Sequence, residues 1–380
     1  MSRIRIKPNI AYDDTKQKYY VYFDMGRDAA GARLRPTKTY GTLQEAEEAF
    51  YRFQLQQSRI PSPSAVTVGQ WVLYWLEDII RPNRARTTYY GYRCIVRNHV
   101  IPLLGSTPLQ ALTPNQIQQY YTTLMRDQGL SANSVRKHHI LLHSALKTAV
   151  RQDLLFVNPT ERVDPPRETF SVPHFYNARQ LKLLFDLAEG TRLELPVKLA
   201  GYLGLRRSEI CGLKWSCTDL ENQLVAIRTV RTVAGKMIVE KGTKTVSSTR
   251  TLSIAGLDDL ILTLKREKQA QARRMLELGD RYCDGDYVLA SPDGHPWNPN
   301  VLSSRFSKFV QKHELPPITI HGLRHTFASL ANNAHVPLFN IGKALGHSDP
   351  SITSRVYTHL LDQSHSEVLT VVAQCIQAVG

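Results

Sequence analysis

Two proline-rich interruptions constrain this 380-residue chain more than any other feature. SRIPSPSA carries Pro61 and Pro63, and LFVNPTERVDPPRETF carries Pro159, Pro165 and Pro166. Proline fixes φ and lacks a backbone N–H, so neither stretch continues a helix or a central strand, and both read as linkers. They leave segments 1–60, 65–160 and 170–380, and a chain of this length is expected to hold two or three separate cores.

Each segment has its own periodicity. In 1–60, IRIKPNI, KYYVYFDM and RLRPTKTY read as three short strands, and Thr42 with Glu45 forms a capping box that opens the helix TLQEAEEAFYRFQLQQ. Tyr19, Tyr20 and Tyr22 fit either a sheet face against a partner or a small core. In 65–160 the stretches VGQWVLYWLEDII, RTTYYGYRCIVRNHVIPLL, TPNQIQQYYTTLMRD and SANSVRKHHILLHSALKTAVRQ all have helical apolar spacing, with Thr113-Pro114 as an N-cap followed by proline. In the last of these, Val135, His139, Leu142, Leu146 and Ala149 share a face. Residues 170–380 are mostly helical, interrupted by LVAIRTVRTVAGKMIVEKGTKTVSSTRTLSI, whose β-branched alternation around AGK and KGTK predicts one small antiparallel sheet. The expected fold class is therefore mainly α with small β-sheets, built as several domains.

Composition excludes several functional classes. No apolar run reaches membrane-spanning length, and the N-terminus lacks the apolar stretch of a secretory signal, which predicts a cytoplasmic protein without a membrane partner. Five cysteines (Cys94, Cys211, Cys217, Cys283, Cys375) form no CxxC pair and suit a reducing compartment. The net charge of +15 points instead to a polyanion. Residues 61–160 carry 10 Lys+Arg against 4 Asp+Glu, which makes this the most basic segment for its length and the expected main phosphate-contacting module.

The chemistry concentrates in four stretches: GLRRSEICGLKW, KGTKTVSSTR, HGLRHTFASL and LGHSDPSITSRVYTH. The two histidines of HGLRH stand four apart, the spacing of a helical zinc motif, but Gly322 occupies the place of the required glutamate base. Arg324 between them would repel a divalent cation and suits a shared anion instead. These stretches also lack the acidic cluster of a magnesium-dependent nuclease. Phosphoryl transfer without a metal needs protein cations on the non-bridging oxygens, a nucleophile and a leaving-group acid. Arg206 and Arg324 can each donate a bidentate pair, and Tyr357 can attack as an oxygen nucleophile, helped by imidazole and guanidinium neighbours.

In the order Arg, Lys, His-x-x-Arg, His and Tyr, these stretches resemble the tyrosine recombinases, most of all integrases of phages and conjugative transposons. GLRRSE supplies Arg206, TKT supplies Lys244, HGLRHTFAS supplies His321 and Arg324, LGHSD supplies His347, and SRVYTH supplies Tyr357. Five boxes in order over about 150 residues make a specific pattern. SANSVRKHHILLHSALKTAVRQDLLFVNP, closing on Asn158-Pro159, looks like the last helix of the family's core-type DNA-binding domain. Residues 1–60 resemble the small modules that grip distal arm sites.

The resemblance implies an arm-type DNA-binding domain at 1–60, a core-type one at 65–160 and a catalytic domain at 170–380 with a C-terminal tail. It implies that Tyr357 forms a 3′-phosphotyrosine, that Lys244 protonates the leaving 5′-oxygen, that Arg206 and Arg324 hold the phosphorane, and that His321 and His347 assist proton transfer. No cofactor and no metal are implied. Expected partners are double-stranded DNA at core and arm attachment sites, three further copies in a homo-tetramer, an excision factor and DNA-bending proteins. Arg33, Arg35, Arg84, Arg86, Arg136 and Lys137 are candidate DNA contacts. Val368, Leu369, Val372 and Ile376 fall at helical spacing in the tail, an apolar stripe that fits either its own catalytic domain or, as is common in the family, a neighbouring protomer.

Several neighbours have quieter expected roles. Arg207 reads as a surface or backbone-pairing residue, Glu209 as a group orienting an arginine, and His325 as helix packing. Lys241 competes with Lys244 for the hairpin role. Two other functions remain on the sequence: topoisomerase-like strand nicking, disfavoured by the arm module, and non-catalytic DNA regulation, disfavoured because every catalytic position is filled.

Overall fold

A computed structural model describes residues 3–25, 33–59, 66–169, 174–242 and 249–346. The chain forms two compact units, Met1–Phe170 and Ser171–Gly380. No helix among the described residues is long and apolar enough to cross a membrane.

The first unit opens with a four-stranded antiparallel sheet, β1 (Ile4–Lys7), β2 (Ile10–Asp13), β3 (Lys18–Tyr22) and β4 (Thr37–Tyr40), in sequential order. The sequence pattern anticipates three of these strands. It misses β2 because Pro8 and Asn9 break IRIKPNI into two strands, with Asn9 at φ +64° turning the chain back. Helix α1 (Leu43–Arg59) covers one face, and the Thr42–Glu45 capping box forms in both directions: the Glu45 amide donates to Thr42 Oγ1 and the Thr42 amide to Glu45 Oε2. Strand alternation splits the tyrosines. Tyr19 joins Val21, Phe23 and Ala46 under α1, whereas Tyr20 and Tyr22 lie on the other face beneath Arg3 and Arg35, whose guanidinium carbons are 3.8 and 5.6 Å from the ring centroids. Phe156, which follows the helical segment, packs on Phe23 with ring centroids 4.6 Å apart and the planes tilted by 52°, so this small core draws on a residue outside 1–60.

The rest of this unit is helical. One run joins α2 (Val68–Tyr74), a π-helical stretch (Trp75–Ile80) and α3 (Arg81–Asn83). A second joins α4 (Arg86–Ile95), a π-helical stretch (Val96–Val100) and α5 (Ile101–Leu104). Each wide stretch ends just before a proline, Pro82 or Pro102, whose ring would clash with a carbonyl of the preceding turn in a regular helix. α6 (Pro114–Arg126) has Thr113 as its N-cap, as the sequence predicts, with Gln116 completing a capping box, and α7 (Ala132–Arg151) crosses the core. Trp71, Trp75, Tyr121, Leu142 and Leu146 fill that core. On α7 the most deeply buried histidine is His138 rather than His139, because the buried stripe also takes in Leu141 and Ala145.

The buried histidine makes this module acid-sensitive. His138 pairs through Nδ1 with the Tyr120 hydroxyl at 2.7 Å, and burial followed by the charge of His99 lowers its pKa to about 4. The unfolded value is higher, so the neutral form's stabilisation is complete above about pH 6.5 and is lost as pH falls towards 4. A loss of up to about 3 kcal/mol is expected over that window. Melting of the chain followed by tryptophan fluorescence should show the drop, and His138→Gln should flatten it. A melting temperature equal at pH 7.5 and 4.5 would contradict this.

The second unit contains α8 (Ala178–Ala188), α9 (Glu194–Leu203), α10 (Arg207–Ile210), then β5 (Thr218–Asp219), β6 (Leu224–Ile227), β7 (Thr229–Ala234), β8 (Met237–Gly242) and β9 (Arg250–Ser253), followed by α11 (Asp258–Leu278), α12 (Pro299–Lys312), α13 (Ile320–Asn333) and α14 (Leu338–Leu345). The insert forms two sheets rather than the expected one: a β5–β6–β9 sheet and a β7–β8 hairpin turning at Gly235, φ +65°. The chain changes sheets at Arg228, where the ladder to β9 ends and the hairpin begins. α9 is buried along almost its whole length and packs against α11 and α13. Its buried Lys198 is answered by Glu194, Asp259 and Thr263, which ties α9 to α11.

Candidate active site

α9 ends at Gly204, which takes φ +60° and turns the chain towards Arg206. A Cβ there would lie 2.6 Å from Leu345 Cδ2 and 2.9 Å from Phe327 Cδ1, so both conformation and space call for glycine. Arg206 then caps α10. Its backbone N–H donates to Glu209 Oε2 at 2.9 Å and its Nη1 to Glu209 Oε1 at 2.8 Å. One carboxylate thus fixes both ends of the residue, and the Arg206 side chain remains 34% exposed.

Arg324 reaches the same place from α13. It is 2% exposed, with Nη1 donating to Gly204 O at 2.8 Å and Nη2 to Leu345 O at 2.7 Å. Both carbonyls close helices, and helix ends leave carbonyls without intrahelical partners. Arg324 therefore ties the turn that leads to Arg206 to the turn that leads into His347. Its Nη1 lies 4.0 Å from Glu209 Oε2.

Glu209 is 2% exposed. Burial alone would raise its pKa, but hydrogen bonds and charge from Arg250, together with the Arg206 amide and guanidinium, outweigh burial and hold it below the ordinary carboxylate range. Glu209 thus orients an arginine, as the sequence suggests, and it also serves a second one. Arg250, at the start of β9, donates Nη1 to Oε1 at 3.2 Å and Nη2 to Oε2 at 3.0 Å. The sequence reading gives Arg250 no role. The signal lay in the strand period: Arg250 shares the inward side of β9 with Leu252, and a cation placed there needs a buried carboxylate.

His321 sits one helical turn before Arg324 on α13. Part of it reaches solvent, yet desolvation of the rest, followed by the charges of Arg324 and Arg206, lowers its pKa. The His321 and His325 rings meet edge to face at 4.8 Å. Burial, then His321 and Arg324, lowers the His325 pKa to about 4. A cavity of about 860 Å3 opens beside this pair, bounded by His174, Gln311, Glu314 and Ile318. Among the described residues no group of three or more His, Cys, Asp or Glu side chains is arranged to hold a metal ion.

Arg207 turns away and donates to Ser303 Oγ at 2.9 Å, fastening α10 to α12. Lys241 pairs with Val230 in the β7–β8 ladder. Lys244, His347, Tyr357 and the tail lie outside the described residues.

The candidate DNA contacts fall in the first unit. Arg84, Arg86 and Lys137 are exposed. Arg33 pairs with Asp24, Arg35 donates to Asn9 Oδ1 at 2.5 Å, and Arg136 donates to Pro166 O at 3.0 Å. These last three therefore have intramolecular partners that the sequence did not reveal.

Comparison with known proteins gives this geometry its context. The sequence model of the phage integrase family matches residues 175–364, half of the chain, and that of the phage integrase N-terminal SAM-like domain matches residues 67–125. A protein named tyrosine recombinase XerC-like from Caldanaerobacter subterraneus is 27% identical over 93% of this chain and 95% of its own length. The ICEBs1 integrase of Bacillus subtilis is 26% identical over 92% and 95%. A Tn1549 transposon integrase fragment, solved in complex with transposon right end DNA, shares the fold with a TM-score of 0.67 at 22% identity, covering 81% of this chain and all of that one. A lambda integrase tetramer bound to a Holliday junction gives 0.57 at 19% identity, covering 91% and 97%. The arginine-lined turn and the family match over the same residues agree: this chain belongs to the phage integrase family, the tyrosine-type site-specific recombinases.

Proposed function

We propose that the chain integrates and excises a mobile DNA element, with Tyr357 as nucleophile and Arg206, Lys244, His321, Arg324 and His347 as its catalytic partners. The observation that carries the reading is the convergence of Arg206 and Arg324 on one buried carboxylate from positions 118 residues apart in the chain (324 less 206), with His321 beside them. Two permanent cations held this way suit the two non-bridging oxygens of a phosphodiester.

In this mechanism the Tyr357 oxygen attacks phosphorus. A phosphorus–oxygen bond to tyrosine forms as the bond to the 5′-oxygen breaks, and Lys244 gives the departing oxygen its proton. His321, with His347, accepts the tyrosine proton or hydrogen-bonds the phosphorane. The 3′-phosphotyrosine keeps the bond energy, and a 5′-hydroxyl from a partner duplex reverses the step. The protein supplies the whole site from its own side chains.

Residues 65–160 are proposed to bind the core site, with Arg84, Arg86, Arg136 and Lys137 on phosphates, and residues 170–380 to carry the catalysis. Residues 1–60 are proposed to hold an arm site with the sheet face that carries Arg3, Tyr20, Tyr22 and Arg35, with Arg33 nearby. Structures of other integrases on DNA, including a tetramer on a Holliday junction, support a tetramer working on duplex DNA, and an excision factor would set direction.

The test is a nicked attachment-site duplex incubated with the protein in excess EDTA, without ATP. A protease-sensitive covalent adduct is expected, and added partner duplex should chase it into recombinant strands. Cleavage that requires magnesium would sink the mechanism, and relaxation without any exchanged product would favour the topoisomerase alternative.

A further inference from the structure

We propose that Arg250 is a positioning residue of the recombination reaction, acting through Glu209 to aim Arg206 at the scissile phosphate. The inference rests on the recombinase reading of the site. Its basis is the geometry around one carboxylate. Arg250 grips both Glu209 oxygens in a fork at 3.2 and 3.0 Å, which fixes the plane of the carboxylate. Oε1 then receives Arg206 Nη1, and Oε2 receives the Arg206 backbone amide. Without the fork, Glu209 could still pair with Arg206, but its plane would be free to rotate and carry the guanidinium with it.

Arg250 is itself well placed to act as a rigid reference. Its backbone pairs with Ile227 in the β6–β9 ladder, and Ile227 is buried in the core of the unit. Its side chain is 7% exposed, and both terminal nitrogens are engaged by Glu209. A simple structural staple between β9 and α10 needs no bidentate fork, because one ammonium would suffice; a device that sets an angle needs two bonds.

The test compares the wild type, Arg250→Met, Arg250→Lys and Tyr357→Phe in single-turnover cleavage, with rates corrected for the folded fraction. Two substrates are used: the natural phosphodiester, and a duplex whose scissile phosphate is a methylphosphonate and so carries no negative charge to neutralise. Arg250→Met should cut the phosphodiester on the order of 10²-fold more slowly than wild type, as expected for a reacting group misplaced by about an ångström. DNA affinity should stay within about twofold, since no phosphate contact is removed. The defect should shrink to below about threefold on the methylphosphonate, where the aim of Arg206 matters less. Arg250→Lys should fall between, and it carries the same two-substrate comparison if the methionine variant does not fold. A phosphodiester rate near wild type, or an equal defect on both substrates, would overturn the proposal. If the wild type itself gives no adduct, or Tyr357→Phe retains it, the recombinase reading of the site fails instead.

Discussion

Arg324→Lys is expected to slow strand cleavage by about 10²- to 10³-fold, the range seen when a single preorganised donor to a developing oxyanion is lost. The lysine would keep the charge but lose the geometry. Arg324 holds Gly204 O and Leu345 O at once, 2.8 and 2.7 Å away, with two separate nitrogens. One ammonium on a flexible stem cannot span both and also face a phosphate. A buried carbonyl left without a donor costs about 1–3 kcal/mol, so the catalytic unit should also lose stability. DNA binding should change much less, because it draws on charges spread over both units. Single-turnover cleavage, a melting curve and a binding titration on the same preparation separate the three effects. A cleavage rate within about threefold of wild type would remove Arg324 from the transition state.

Glu209→Ala is expected to be the most destabilising single change in the site. The carboxylate neutralises Arg206 and Arg250 directly and lies 4.0 Å from Arg324, and it is almost wholly buried. Removing one partner of a buried ionic cluster costs about 3–5 kcal/mol, because the remaining charges stay desolvated. The same cluster sets a pH dependence. The folded-state pKa of Glu209 is depressed, so its stabilisation is present above the unfolded carboxyl value and is lost as pH falls through the folded one. Denaturant unfolding at pH 7 should show the loss, and the difference between wild type and variant should narrow in acid. Equal stability at pH 7 would mean that the arginines are paired some other way.

What could be read from the sequence was local. The Thr42–Glu45 capping box spans three residues and the Thr113-Pro114 N-cap two, and both form. The boxes carrying Arg206 and Arg324 are also short, and the structure brings both arginines to one carboxylate. What escaped was long-range. Splitting the insert into two sheets depends on β6 pairing with β9 rather than with its neighbour β7, and alternation within a strand does not encode its partner. The carbonyls gripped by Arg324 are backbone atoms, which leave no mark on residue identity. Arg250 was visible only as the end of KGTKTVSSTR, because its partner lies 41 residues away in the chain. Phe156 gave no sign of completing the core of the N-terminal module, since its aromatic partners come from a different segment.

The central claim is that Tyr357 is the nucleophile, and its most direct test is to find the phosphate. Trapping the adduct on a nicked attachment-site duplex, digesting the DNA and the protein, and sequencing the modified peptide by mass spectrometry locates the bond. Trypsin cuts after Arg355, and the peptide from 356 to the C-terminus contains Tyr357 as its sole tyrosine. A nucleotide remnant on Tyr357, and no adduct with Tyr357→Phe despite unchanged DNA affinity, is the predicted result. A remnant on any other residue, or an adduct persisting at wild-type yield in Tyr357→Phe, would contradict it.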